Sequence, residues 1–590
     1  MSTTIGEQPT ATAPQALVNI TSKEELIRRK LDEERARLER EMGLETQLRE
    51  HFKKPTENPF LKSQRGHTTL LFGGLTWRHE YLVHGALEGL GYKCEAVPTP
   101  NVSAFQLGKE YGNNGQCNPT YFTVGNLVQH LQALELKGLT RREIIDNYVF
   151  FTAGACGPCR FGMYESEYRL ALRNSGFDGF RVLLFQQSGG LNQAEAEAGL
   201  ELNVDFFLAI LNALNMGDLI SDVGYQIRPY ELNPGETDVA IRESMDYLHE
   251  VLKTHRTFTL EGQVGGFLKN LPKFGGSAEY IGKFLDQLCG TDYTDALRAV
   301  GHRFAQIKVD RTRVKPTVKI TGEFWAQTTE GDGNFNMFKF LEREGAQVMT
   351  ESIGTWIMYL MHQAKQQKHD RQGVTADEAM PAAWRLDKRL KNEWQVRKAS
   401  AQLTLAEAIF KRENNRLREA LNGLPHELAD QYELQRAAHP FYNSRAAGGE
   451  GHLEVAKNIY YSNKDLAHMV LSLKPFGCMP STQSDGAQSA VVNLYKDMIY
   501  LPIETSGEGE INAHSRVQMA LGEAKVKAKQ EIARVCEEAG VTLDEVRAYA
   551  EEHQELQSGL YHVPHHKGVV GTAANFVKHV AGLMKKETEH

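Results

Sequence analysis

"HTTLLFGGLTWRHEYLVHGALEGLGYKCEAVP", residues 67–98, decides the fold class. It reads as an apolar strand ending in a Gly-Gly turn, a helix from Trp77 to about Tyr92, and a second short strand, "KCEAVP". The alternation continues with a helix after "GQCNP", the strand "YVFFTA", another helix and "RVLLFQ", so that 67–235 predicts a parallel, doubly wound sheet covered by helices. A second α/β pattern starts at "TVKITGEFW", passes through "MFKFLEREGAQVMTESIG" and resumes with "DLAHMVLSLKPFGCMPSTQSDG" and "DMIYLPIETSGEGEINAHSR". The expected organisation is a disordered start and charged helical arm over 1–66, a first α/β lobe over 67–235 and a helical connector over 236–315. A second lobe follows over 316–520, interrupted by a helical insertion at 365–440, and a helical tail occupies 521–590. The two α/β units invite reading as a distant structural duplication.

At 590 residues the chain exceeds the size at which a single hydrophobic core keeps growing. Its 67 basic against 75 acidic residues give a net charge of −8, which argues against a dedicated nucleic-acid surface. The start, "MSTTIGEQPTATAPQ", lacks a basic region and an apolar core, and the most apolar stretch, "DFFLAILNALNMGDLI", is broken by Asn and Asp. The expectation is a cytoplasmic protein without a membrane span, in which seven scattered cysteines are thiols, redox groups or ligands rather than a disulfide framework.

Four of those cysteines share a setting. "VFFTAGACGPCRFG", residues 149–162, runs strand, turn, Cys156-Gly-Pro-Cys159 and the start of a helix. Cys117 opens the helix after "GQCNP", and "VLSLKPFGCMPS" again runs strand, glycine turn, Cys478 and a new element. Ligands of doubly wound sheets gather at the carboxyl ends of the strands. A cysteine opening a helix there is favoured as a thiolate, which suits disulfide exchange and metal ligation alike. The spacing leaves three readings open: a CxxC dithiol, a zinc site, and a [4Fe–4S] cluster held by Cys117, Cys156, Cys159 and Cys478. Cys94, in a strand, and Cys289 and Cys536, on helices, read as small buried hydrophobes. The histidines of "YHVPHHKG", His562, His565 and His566, read as exposed. There is no G-x-x-x-x-G-K-[ST], no G-x-G-x-x-G after a strand and no H-E-x-x-H, so a bound nucleotide and zinc proteolysis have no sequence warrant.

The series "GNNGQCNPTYFTVGNL", "FFTAGACGPCRFGMYE", "GGEGHLEVAKNIYY", "KPFGCMPS" and "PIETSGEGEINAHSRVQMAL" resembles the cysteine-bearing region of the 2-hydroxyacyl-CoA dehydratases, their CoA-activase-related proteins and double-cubane cluster proteins, over about 67–235 and 316–520. The resemblance implies two flavodoxin-like lobes with an iron–sulfur cluster between them, ligated by Cys117, Cys156, Cys159 and Cys478. It also implies a separate actin-like ATPase activator with its own cluster as electron donor, a homodimer, and either electron relay or reduction of a small-molecule or acyl-CoA substrate at the cluster. The ATPase motifs of the larger relatives are absent. Four matched cysteines can saturate one cubane, which favours relay, and a double cubane would need Cys94 or Cys289 as well. Arg160, after the CxxC, and Glu450, Glu510 and Asn512, in loops at inferred strand ends, are candidates for the surroundings of the cluster, Glu450 and Arg160 foremost. A zinc-stabilised interaction scaffold is the alternative from another class.

Overall fold

The run Thr69–Phe72 is buried on both faces and forms β1, an interior strand of a mainly parallel sheet. The computed structural model describes residues 57–154, 159–186, 190–191, 198–255, 275–372, 384–446 and 448–588, together with helical residues between 27 and 41. In the first sheet β1 is joined by β2 (Cys94–Ala96), β3 (Tyr148–Gly154), β4 (Arg181–Gln186) and a two-residue edge strand β5 (Gly190–Leu191), in the order β2-β1-β3-β4-β5. All pairs are parallel except β4 with β5. The second sheet is all parallel, in the order β7-β6-β8-β9, from β6 (Thr317–Gly322), β7 (Gln347–Met349), β8 (Met469–Pro475) and β9 (Tyr500–Thr505). Renumbered from its own first strand, this is the 2-1-3-4 order of the first sheet. The protein is thus α/β, with two doubly wound, flavodoxin-like sheets.

Local chemistry explains the connections. Thr76 caps the helix Trp77–Gly89, its side chain accepting from the His79 amide, and the turn before it is held by Glu80, which accepts from the Gly74 and Leu75 amides at 2.8 and 2.9 Å. Gly322, at the end of β6, has φ of +120°, and a Cβ there would lie 2.0 Å from the Leu473 carbonyl, so only glycine allows β6 and β8 to pair to their ends.

The segment expected as a connector does more than connect. Helix Glu236–Thr254 packs on Trp77–Gly89, and residues of both join one core with Met216, Leu219 and Ile220 of helix Val204–Ile227 and with Leu297 and Phe304. Helix Leu386–Glu419, within the expected insertion, sends Leu417 into the same core. The segment Val204–Tyr230 is long and apolar enough, by length and composition, to cross a membrane, yet 56% of its most apolar window is buried inside the protein.

Residues 55–590 form one compact unit, so the two sheets share a body. Asp218 accepts from the Ile353 and Gly354 amides at 2.9 and 2.8 Å, capping a second-sheet helix from a first-sheet one, and also meets His79 Nε2 at 3.0 Å. Arg78 pairs with Glu330, whose carboxylate also accepts from Tyr225 Oη at 2.9 Å, and Arg228 pairs with Glu342 at 3.0 Å. Phe105, Tyr121 and Phe122 form a buried aromatic cluster with Trp325 across the same seam.

Candidate functional site: the cysteine-bearing strand ends

Both sheets present their third strand, β3 or β8, followed by a cysteine. Cys478 follows β8 and is the N-cap of helix Met479–Leu494, with Pro480 in its first turn. Cys159 follows β3 and precedes the 3₁₀ turn Arg160–Met163. Cys117 is the N-cap of helix Asn118–Leu136, with Pro119 in its first turn. Proline has no amide hydrogen and is pre-set for the first turn, so it opens these helices without cost while the remaining free amides face the thiol end. The pattern Cys-x-Pro-Ser/Thr, in "CNPT" and "CMPS", is the sequence signal that links Cys117 to Cys478.

The three described cysteine segments meet. The Asn118 amide donates to the Phe476 carbonyl at 3.0 Å, tying the helix behind Cys117 to the turn before Cys478. Gly477, at φ +75°, lies so close that a Cβ would stand 3.2 Å from Gln116 O and 3.3 Å from Cys117 Cα. Gly449, at φ +79°, would place a Cβ 2.5 Å from Pro480 Cγ and 3.4 Å from Cys159 Cβ. Gly477 thus lets the backbones of the two lobes meet, and Gly449 admits the side chains of Pro480 and Cys159 against its own backbone. Cys156 lies outside the described residues. Cys94 sits at the start of β2, against His84, Cys289 is exposed and Cys536 is partly buried, so none of these joins the group.

Cys117 and Cys478 are 6% and 7% exposed. Burial raises the thiol pKa of all three, to about 12 for Cys159, with acidic neighbours adding to the effect. Hydrogen bonds act in the opposite sense: Cys117 Sγ lies 3.1 Å from Thr120 Oγ1 and 3.3 Å from Tyr164 Oη, and Ser481 serves Cys478 in the same way. A thiol in such a place ionises only when a positive partner compensates the charge. The Arg160 guanidinium donates to the Gly115 carbonyl and ties the segment after the CxxC to the loop before Cys117.

Three carboxyls border the group, Glu450 and Glu454 buried and Glu323 half-buried. Glu323, in the turn after β6, is pushed by burial up to about 7, against the pull of the Ala326 and Trp325 amides. Glu450 precedes helix Gly451–Asn463, and burial raises it well above the ordinary range; Oε2 accepts from Gln327 Nε2 at 2.9 Å while Oε1 has no partner. Glu454 accepts from Ser481 Oγ at 2.5 Å and pairs with Lys474 at 3.4 Å. Beside them His452 is buried with neither ring nitrogen hydrogen-bonded, and burial lowers it to about 4. Of the acidic candidates read from the sequence, Glu450 is at the site, whereas Glu510 and Asn512 are exposed on the first turn of helix Glu510–Ala539. Glu323 and Glu454 carry no sequence signal that separates them from surface acids. His562 and His565 are exposed and His566 is half-buried.

Behind this edge, between the sheets, lies a cavity of about 540 Å³ whose wall includes His79, Tyr225, Lys319, Glu330, Glu351 and Gln327. Gln327 is the link, since it lines the cavity and holds Glu450. Compared with family models and with curated proteins, the chain matches none.

Proposed function

We propose that this chain is a cytoplasmic, homodimeric iron–sulfur redox protein that accepts low-potential electrons from a separate ATP-hydrolysing activator carrying its own cluster. One observation carries the reading: Cys117 and the half-buried Cys159 of the first lobe converge on Cys478, which follows a strand of the second, where Gly477 allows backbone contact and Gly449 admits the side chains of Cys159 and Pro480. The donor set fits the group, because Cys117, Cys159 and Cys478 are thiols that ionise in this setting only against positive charge, and Cys156 is the fourth donor that the CxxC supplies. When bound, such a cluster supplies one-electron transfer at low potential.

The chain's own residues then have distinct tasks. Cys117, Cys156, Cys159 and Cys478 hold the group, and Thr120, Tyr164 and Ser481 direct hydrogen bonds at sulfur, which favours the reduced, more negative state. Glu323 and Glu450 hold protons near neutral pH beside the sulfurs, where a proton can balance an incoming electron.

A second reading, reduction or dehydration of a small-molecule or acyl-CoA substrate bound at the cluster, is favoured by the cavity that Gln327 connects to Glu450. Iron, zinc and acid-labile sulfide per chain on anaerobically purified protein, with an electron paramagnetic resonance spectrum after reduction, test the first reading. Near-equal iron and sulfide with a reducible signal are expected. Zinc without sulfide would make the protein a metal-stabilised scaffold, and no metal would return the CxxC to a dithiol role. A spectrum that changes with added acyl-CoA would favour substrate binding over relay.

A further inference from the structure

Away from the cysteine edge, helices Trp77–Gly89 and Glu236–Thr254 cross on one face of the first sheet. Gly85 and Gly89, one turn apart, make the crossing close: a Cβ on Gly85 would lie 2.7 Å from the His249 carbonyl, and one on Gly89 2.8 Å from that of Leu252. This brings His249 against His84 and Glu88, an i,i+4 pair on the first helix. His84 Nδ1 and His249 Nε2 are 3.0 Å apart, and Glu88 Oε2 lies 3.7 Å from the first and 3.6 Å from the second. Among the described residues this is the His/Cys/Asp/Glu group whose ligand atoms all fall within 4.8 Å of one another.

We infer that His84, Glu88 and His249 form a zinc site that clips helix Glu236–Thr254 onto the first lobe. Ligand atoms about 2.0–2.2 Å from a tetrahedral zinc stand about 3.3–3.6 Å from each other, which is the spacing of this triad to within a few tenths of an ångström. The outer nitrogens are arranged as metal-bound imidazoles require. His84 Nε2 donates to the Cys94 carbonyl at 3.0 Å, which leaves Nδ1 as the lone-pair atom facing inward, and His249 Nδ1 points to Glu250 Oε1 at 3.5 Å. Tyr81 stacks on His249 at 4.6 Å between centroids and donates to Asp246 at 2.9 Å, fixing the ring plane. Two histidines and a glutamate are a borderline-soft donor set that suits zinc and leaves a fourth position for water or an external ligand. Lys253 Nζ, 3.2 Å from Glu88 Oε2, supplies the positive charge that a cation would otherwise bring, from a side chain that is 42% exposed.

The site is independent of the cluster proposal, and zinc and cobalt titrations of the full-length protein with its cysteine site loaded test it. Wild type is expected to bind one further zinc per chain that His84→Ala or His249→Gln does not bind, and Glu88→Gln should weaken it by about 10- to 100-fold. Lys253→Ala should tighten it several-fold, a gain that a merely structural cluster of side chains does not predict. Cobalt at the site should show no thiolate-to-cobalt charge-transfer band. Equal zinc stoichiometry and affinity in wild type and Glu88→Gln, no gain in Lys253→Ala, or a sulfur signature in the cobalt spectrum would each overturn the assignment. Should His84→Ala fail to fold, Glu88→Gln and Lys253→Ala still decide it.

Discussion

The two sheets have the same strand order and spend their strand ends differently. The first brings Cys117 and Cys159 to the seam, ties the loop before Cys117 to the buried Glu167, and leaves another buried acid, Glu80, in the β1 turn, where burial lifts it from the ordinary 4.5 to about 8 against two amide hydrogen bonds. The second brings one cysteine, Cys478, with the acids Glu323, Glu450 and Glu454, and answers part of that charge with buried lysines. A shared fold therefore divides the labour at the seam: thiols chiefly from one sheet, protons and compensating charge from the other.

The largest effect expected concerns the thiols. Cys117→Ala, Cys159→Ala and Cys478→Ala should each remove most of the cluster iron, whereas Cys536→Ala, on a helix of the tail, should leave it unchanged. Iron and sulfide per chain in anaerobic preparations measure this. If Cys478→Ala alone kept full iron, the second sheet would have no part in the site and the division would collapse.

How much of this was legible in the sequence follows from how local each signal is. Strand and helix periodicity in 67–98 and 316–350 depends on neighbours in sequence, so both sheets could be read. Cys478 could be placed because a strand, a glycine and a cysteine follow one another. The acids could not: Glu323 and Glu454 acquire their meaning from burial, which depends on segments far away in the chain, and Glu450 was visible only through the glycines around it. Likewise His84 and Glu88 show helical spacing, but their partner His249 lies 165 residues on from His84. The packing of the helical segment 236–315 on Trp77–Gly89 is hidden for the same reason, since it rests on Gly85 and Gly89, whose role is defined by the helix that approaches them.

The compensation of charge in the second sheet gives the next effect. Glu351, 5% exposed, lies 3.2 Å from Lys319 Nζ and 3.3 Å from Lys457 Nζ. Burial alone would raise its pKa, but the two ammonium groups overcome that and hold it at about 2. Glu351→Gln leaves two buried cations without their anion and should cost about 3–5 kcal/mol by urea denaturation at neutral pH. Because the folded value lies below the ordinary 4.5, the stabilisation is present above pH 4.5 and fades as pH falls toward 2.

Glu80 in the first sheet should show the opposite slope. Its folded value of about 8 lies above 4.5, so the folded state holds its proton longer and stability falls as pH rises from about 4.5 to about 8. Glu80→Gln keeps an oxygen for the Gly74 and Leu75 amides and removes the titration. The expected result is a flattening of the stability profile across that window, on the order of 5 kcal/mol. Parallel profiles for wild type and variant would show that Glu80 is not the uncompensated acid of the pair.

The smallest effect probes the contact between the sheets. Gly477 and Gly509 both have positive φ, +75° and +91°, but a Cβ on Gly477 would meet the backbone of Gln116 and Cys117, whereas one on Gly509 would meet nothing within 4 Å. Alanine at either position incurs the left-handed strain of about 1 kcal/mol. Only Gly477→Ala must also push the Cys478 turn away from Cys117, so it should cost about 2 kcal/mol and lower iron occupancy, while Gly509→Ala should cost about half as much and keep full iron. The two readouts separate the causes: conformational strain alone moves stability in both variants, and displacement of one sheet's cysteine from the other's moves iron in one. Equal iron in the two variants would mean that close approach at Gly477 serves packing, and that the thiols of the two sheets can be spread without loss of the site.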